Sequence, residues 1–167
     1  KFYMSKKEQG GGSLLDDSHG IDLIRFLLGD VKTVSSTVCN LSELEMSSDD
    51  SFFGILKMKN NIIAQMSFDL FSRTARIFVE LTGSKGTIIW DRVEHTIKIY
   101  NRKTNKWKIE NYNLNDLMSM YPLQAKYFHD SLVNKKKVFN DIRYAIDTQK
   151  VIDAAFLSSK RRKIVKV

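Results

Sequence analysis

The feature that most constrains the fold is a double change of hydrophobic period along the chain. Between Leu14 and Leu28, the residues Leu23, Ile24, Leu27 and Leu28 recur at helical spacing, and Gly29 stands where a glycine closes a helix. Val31 to Cys39, rich in Val, Thr and Ser, favours a strand. From Ser51 onward the period becomes two. Ile62, Ala64, Met66, Phe68 and Leu70 then share one face and Gln65, Ser67 and Asp69 the other, as a half-buried antiparallel strand requires. Asn60-Asn61 predicts a hairpin turn, Gly83-Ser84-Lys85-Gly86 a second, and Asn101 to Asn105 a third. After Asn113 the helical period returns. Tyr121, Ala125, Phe128 and Leu132 form one stripe; Ile142, Ile146, Ile152, Ala155 and Phe156 form another, with Asn140 or Asp141 as the cap. Strands grouped between helices predict an α+β fold: an open, mainly antiparallel sheet of about six strands with helices packed on one face.

With 167 residues the chain is long enough for one domain spanning 1–167 with a continuous core. Its single cysteine, Cys39, excludes an internal disulfide and a multi-cysteine zinc site, and no other metal constellation is present. No apolar run approaches the roughly 20 residues of a membrane helix, and the first residues carry no secretory signal, so a cytoplasmic protein without membrane contact is expected. The net charge of +8 is concentrated at the end: Lys160, Arg161, Arg162, Lys163 and Lys166 supply five of the eight charges. No aromatic platform accompanies them, so they read as a solvated end and not as a nucleic-acid contact. No Gly-x-Gly-x-x-Gly fingerprint occurs, so the chain cannot by itself bind a dinucleotide in the Rossmann manner.

The residue with the most chemistry is His19. In a helix from Leu14 to Leu28, Asp16 and Asp22 lie three residues before and three after it, and both carboxylates neighbour the imidazole. A histidine oriented by a carboxylate is a usual general acid/base near neutral pH. The same spacing also arises as an ordinary surface cluster. His95, in a polar turn, and His129, beside Asp130 on an amphipathic helix, read as solvated.

Gly10-Gly11-Gly12-Ser13-Leu14-Leu15-Asp16, followed by His19-x-x-Asp22 and Leu23 to Gly29, resembles the start of the C-terminal α/β domain of the Gfo/Idh/MocA oxidoreductases. Lys57 to Ala64 resembles that family's strand, turn and strand; Leu81 to Ile88 resembles its glycine-bounded turn; Phe128 to Val167 resembles its closing helices. The resemblance implies that an N-terminal Rossmann domain, absent from the chain, binds NAD or NADP. It also implies a substrate that is a sugar, sugar derivative or polyol, changed at a hydroxyl or carbonyl. His19 corresponds to the family's acid/base histidine, Asp16 and Asp22 are its candidate partners, and Gly11 and Gly12 join His19 as candidate substrate-binding residues. One departure stands out. The common family pattern has an aspartate four residues before the histidine, whereas Asp16 precedes His19 by three; a branch with a Ser-His pair, often linked to cell-surface sugar synthesis, looks closer.

The resemblance further implies a homo-oligomer built through the open sheet face, where Ile63, Phe71, Phe78 and Phe53 fall opposite the core stripe. The isolated domain is expected to be inactive. The alternative is a non-catalytic dimerisation or scaffold module with the same fold.

Overall fold

The computed structural model describes residues 3–113 and 118–167. After two short 3-10 turns at Tyr3–Ser5 and Lys7–Gln9 come α1 (Ser13–Asp16), α2 (Ser18–Leu28) and seven strands. These are β1 (Val31–Cys39), β2 (Ser51–Met58), β3 (Ile63–Asp69), β4 (Phe78–Gly83), β5 (Gly86–Asp91), β6 (Thr96–Asn101) and β7 (Lys106–Asn111). Then follow α3 (Met120–Val133), α4 (Ile142–Arg161) and the short β8 (Val165–Lys166). The α+β class holds, with one difference: the strands divide between two four-stranded antiparallel sheets, ordered β3-β2-β1-β8 and β4-β5-β6-β7. The chain accordingly forms two compact units, Lys1–Ser72 with Phe139–Val167, and Arg73–Val138.

In the first unit the period-two pattern sets the faces. Val34 pairs with Leu56, and Leu56 with Ala64; Val38 pairs with Phe52, and Phe52 with Phe68. Directly opposed residues share a face, so these form one apolar surface. Leu14 from α1, Ile21 and Ile24 from α2, and Val151, Ile152, Ala154 and Ala155 from α4 join it in a single buried cluster. Phe68, half-buried, packs against this cluster and stacks on Phe52 with ring centroids 5.3 Å apart. The helix α4 starts where expected: the Asp141 carboxylate accepts from the amides of Arg143 and Tyr144. On the opposite face, Thr37 pairs with Phe53 and Phe53 with Ser67, while Ser35 pairs with Ile55 and Ile55 with Gln65. Phe53, Ile55 and Ile63 remain 44%, 52% and 59% exposed there. Phe71 and Phe78 are also exposed, but Phe71 lies beyond β3 and Phe78 belongs to the other sheet.

At the β1 edge, β8 pairs only with Thr33 and Val34. Farther along, α4 takes over. The Ser36 amide donates to Ser158 Oγ (3.1 Å) and the Val38 amide to Ser159 Oγ (2.9 Å).

In the second unit, β4 to β7 form a regular meander. Val79, Trp90 and Ile97 line up across it, as do Leu81, Ile88 and Ile99. The indole Nε1 of Trp90 donates to Tyr112 Oη, which donates to the Asp91 carbonyl. The predicted α3 stripe, Tyr121, Ala125, Phe128 and Leu132, is exposed.

Candidate functional site

The expected continuous helix from Leu14 to Leu28 breaks at Asp17, where α1 ends and α2 begins. The break has a local cause: the Gly20 amide turns back to the Asp17 carbonyl three residues earlier, at 2.8 Å. It changes what His19 meets. Its Nδ1 lies 3.2 Å from the backbone carbonyl of Asp16, and its Nε2 lies 3.8 Å from Oδ1 of Asp17. A carbonyl can only accept, so this hydrogen bond requires the proton on Nδ1, and in the neutral ring Nε2 then carries the lone pair. The side chain is 75% exposed, which leaves Nε2 open to a molecule arriving from outside. Burial pushes the Asp17 carboxyl above its ordinary range, the nearby His19 pulls it down, and Asp16 and Asp69 add to the upward shift.

The two aspartates named from spacing are engaged elsewhere. Asp16 accepts from Tyr3 Oη (2.8 Å) through Oδ1 and from the Gly12 amide (3.1 Å) through Oδ2. Its carboxylate closes the start of α1, and only its backbone carbonyl reaches the His19 ring. Asp22 Oδ1 accepts from Thr148 Oγ1 at 2.9 Å, and Arg25 donates to the same hydroxyl (2.6 Å) and to the Tyr144 carbonyl (2.8 Å). Arg25 is buried, sits 4.3 Å over the Tyr144 ring, and reaches Asp30 at 3.3 Å. Asp22 therefore ties α2 to α4. The carboxylate beside His19 is Asp17, which the helical spacing did not pick out; the adjacent pair Asp16-Asp17 was the only signal for it.

The glycine run is held from within the chain. The Gly10 amide donates to Lys7 O, Gly11 to Lys6 O, Gly12 to Asp16, and Ser13 to Asp49 O, while the Leu14 amide donates to Asp49 Oδ2. None of these five amides is left to cradle a phosphate, so the run is no pyrophosphate site. Gly11 and Gly12 are both buried. A Cβ on Gly11 would collide with the Met4 carbonyl, and one on Gly12 would fall on the Asp49 carboxylate; Gly12 also has φ of +129°. The two glycines thus permit a close approach of backbone to its neighbours.

The next loop fixes this arrangement. Ser48 Oγ donates to Met4 O, and fully buried Asp50 accepts from the Leu41 and Ser42 amides and from the hydroxyls of Ser42 and Ser51. Burial alone would raise the Asp50 carboxyl, but these hydrogen bonds outweigh it and lower it to about 2. Among the described residues no three His, Cys, Asp or Glu side chains could hold a metal, and no helix is long and apolar enough to cross a membrane. A groove of about 550 Å³ at the β1 edge, lined by Ser35 to Val38, Ser159, Arg162 and Lys163, contains none of the residues around His19.

Comparison with known proteins gives this geometry a setting. A search of curated sequences finds no significant match. Among solved structures, a levoglucosan dehydrogenase in complex with NADH and levoglucosan superposes with a TM-score of 0.84 at 16% identity, over 99% of this chain and 53% of its own. The WlbA dehydrogenase from Bordetella pertussis, in complex with NADH and UDP-GlcNAcA, gives 0.78 at 18% identity, over 100% and 51%. An oxidoreductase from Agrobacterium radiobacter, in complex with NAD+, L-tartaric acid and magnesium, gives 0.81 at 17%, over 98% and 51%. At these identities the likeness is one of fold, and the chain spans about half the length of the structures it matches. The sequence model for the oxidoreductase family's C-terminal alpha/beta domain matches residues 3–167, and with nearly its whole length following that pattern the chain belongs to the Gfo/Idh/MocA oxidoreductases.

Proposed function

We propose that this chain is the substrate-binding and oligomerisation domain of an NAD- or NADP-dependent oxidoreductase acting on a hydroxyl or carbonyl of a sugar, sugar derivative or polyol, with His19 as its proton-transfer group. The observation that carries the reading is the setting of His19: Nδ1 engaged by the Asp16 carbonyl, Nε2 beside Asp17, and the side chain 75% exposed, in a chain of this family. Neighbours of the same fold hold NADH together with levoglucosan or UDP-GlcNAcA.

The glycine run does not offer a dinucleotide cradle, since its amides are spent on the chain's own backbone and carboxylates. A nicotinamide held by a preceding domain would supply or take the hydride. The part of this chain is the proton. In the oxidative direction the substrate O–H proton passes to Nε2 as the carbon loses hydride, leaving a carbonyl and an imidazolium; in the reductive direction Nε2 returns it. Asp17, beside Nε2, stabilises the imidazolium. Gly11 and Gly12 serve the substrate indirectly, by letting the Met4 carbonyl and the Asp49 carboxylate pack against the start of α1, and Asp16 serves it through its carbonyl. Asp22 contributes by anchoring α2.

The exposed apolar face with Phe53, Ile55 and Ile63 supports assembly into a homo-oligomer, of the kind such a patch marks. The test is turnover of the full-length protein with NAD or NADP across sugars, polyols and nucleotide sugars, comparing wild type with His19→Ala. Turnover is expected to fall by roughly 100- to 10,000-fold with substrate binding retained, and unchanged turnover would remove His19 from the mechanism. Sedimentation of the same preparation reads its assembly state.

A further inference from the structure

The first turn of α1 lacks a capping side chain of its own. Its N-cap residue is Gly12, and half of a reciprocal capping arrangement is nonetheless present, since Asp16 reaches back to the Gly12 amide at 3.1 Å. The other half comes from 36 residues away. Asp49, in the loop between β1 and β2, accepts from Ser13 Oγ at 2.7 Å and from the Leu14 amide at 3.0 Å, and its backbone carbonyl accepts from the Ser13 amide at 2.9 Å. Its carboxylate occupies the space where a side chain on Gly12 would begin. Ser13 and Leu14 are both fully buried, so water cannot replace these bonds.

We infer that Asp49 is a positioning residue for His19, acting as the N-cap of α1 in place of the side chain that Gly12 does not have. The path is short. Asp49 fixes the first turn of α1, α1 is one turn long and ends at Asp16, and the Asp16 carbonyl is the partner of His19 Nδ1. A shift of that turn moves the acceptor that fixes the imidazole's tautomer and orientation. The role of Asp49 in catalysis rests on the proposed function of His19; its control of the His19 ring does not.

The inference is tested on the full chain by two readings that need no turnover, the imidazole Cε1–H signal of His19 and the amide exchange of Leu14. In Asp49→Ala the His19 signal is expected to move while those of His95 and His129 stay. Leu14 exchange should speed up by about tenfold, the loss of one capping interaction, with Val34 and Leu56 unchanged. Asp49→Asn keeps one oxygen for the Leu14 amide and should restore most of the wild-type signal. Ser13→Ala, which removes one of the two side-chain bonds, should give a smaller displacement, and these two variants carry the test if Asp49→Ala does not fold. A His19 signal that stays in place while the melting temperature drops would overturn the inference, because Asp49 would then stabilise the fold without positioning the ring. A displaced signal together with full activity of His19→Ala would retain this inference and discard the proposed function; a stationary signal with inactive His19→Ala would do the reverse.

Discussion

Two antiparallel sheets of four strands each, with equally regular ladders, differ sharply in what covers them. On β2 of the first sheet, Phe52, Leu56 and Met58 are 0%, 1% and 0% exposed beneath α1, α2 and α4. On β7 of the second, Trp107 and Ile109 are 50% and 58% exposed, and Ser131 is the only buried residue among those described in that unit. Backbone pairing is common to both. What the first sheet adds is apolar area removed from water, each fully buried large side chain worth about 1.5–3 kcal/mol. His19 sits on the covered unit, and the carbonyl that orients it ends α1, whose Leu14 is part of the buried cluster.

This contrast can be broken by substitution. Phe52→Ala should cost about 4 kcal/mol of unfolding free energy in urea, whereas Ile99→Ala, at a half-buried position of the second sheet, should cost about 1.5 kcal/mol. Equal costs would mean that the second sheet is as well covered as the first. Acid should sharpen the same contrast. The Asp50 carboxyl is lowered from 3.8 to about 2 in the folded chain, so the stability it contributes is present above 3.8 and lost as pH falls through about 2. Among the described residues the second unit has no buried carboxylate, so an acid titration of Asp50→Asn followed residue by residue by NMR should show a flatter acid transition only for the first unit. The smallest effect belongs to the meander: Trp90→Phe removes the bond to Tyr112 and should cost about 1 kcal/mol.

How far the sequence could be read follows the range of the interactions. Period-two alternation at Ile62 to Leu70 and the Asp141 cap are local signals, and β3 and α4 form where those signals lie. The division into two sheets depends on where the ladder of β3 stops, at Asp69, and alternation along one strand says nothing of its neighbours. The exposed α3 stripe has the same origin, since periodicity shows that a helix has an apolar face and not what lies against it. At the site, His19 and the glycine run stood out by residue type. The break at Asp17 was hidden because Leu14 to Leu28 is an adequate helical pattern by itself. The capping of α1 by Asp49 was hidden because Ser13 and Asp49 lie 36 residues apart. Asp22 was placed beside His19 by helical geometry alone, but its carboxylate is claimed by Thr148 on α4, a contact between distant segments.

The serines at the end of α4 carry a consequence for assembly. Ser158 and Ser159 quench the outward amides of Ser36 and Val38, where β8 has already stopped. A foreign strand approaching this side of the sheet finds its hydrogen-bond donors taken. That stretch of the β1 edge is thereby closed to cross-chain pairing of the kind that seeds fibrils, which leaves β3 as the border of this sheet where an added strand could dock.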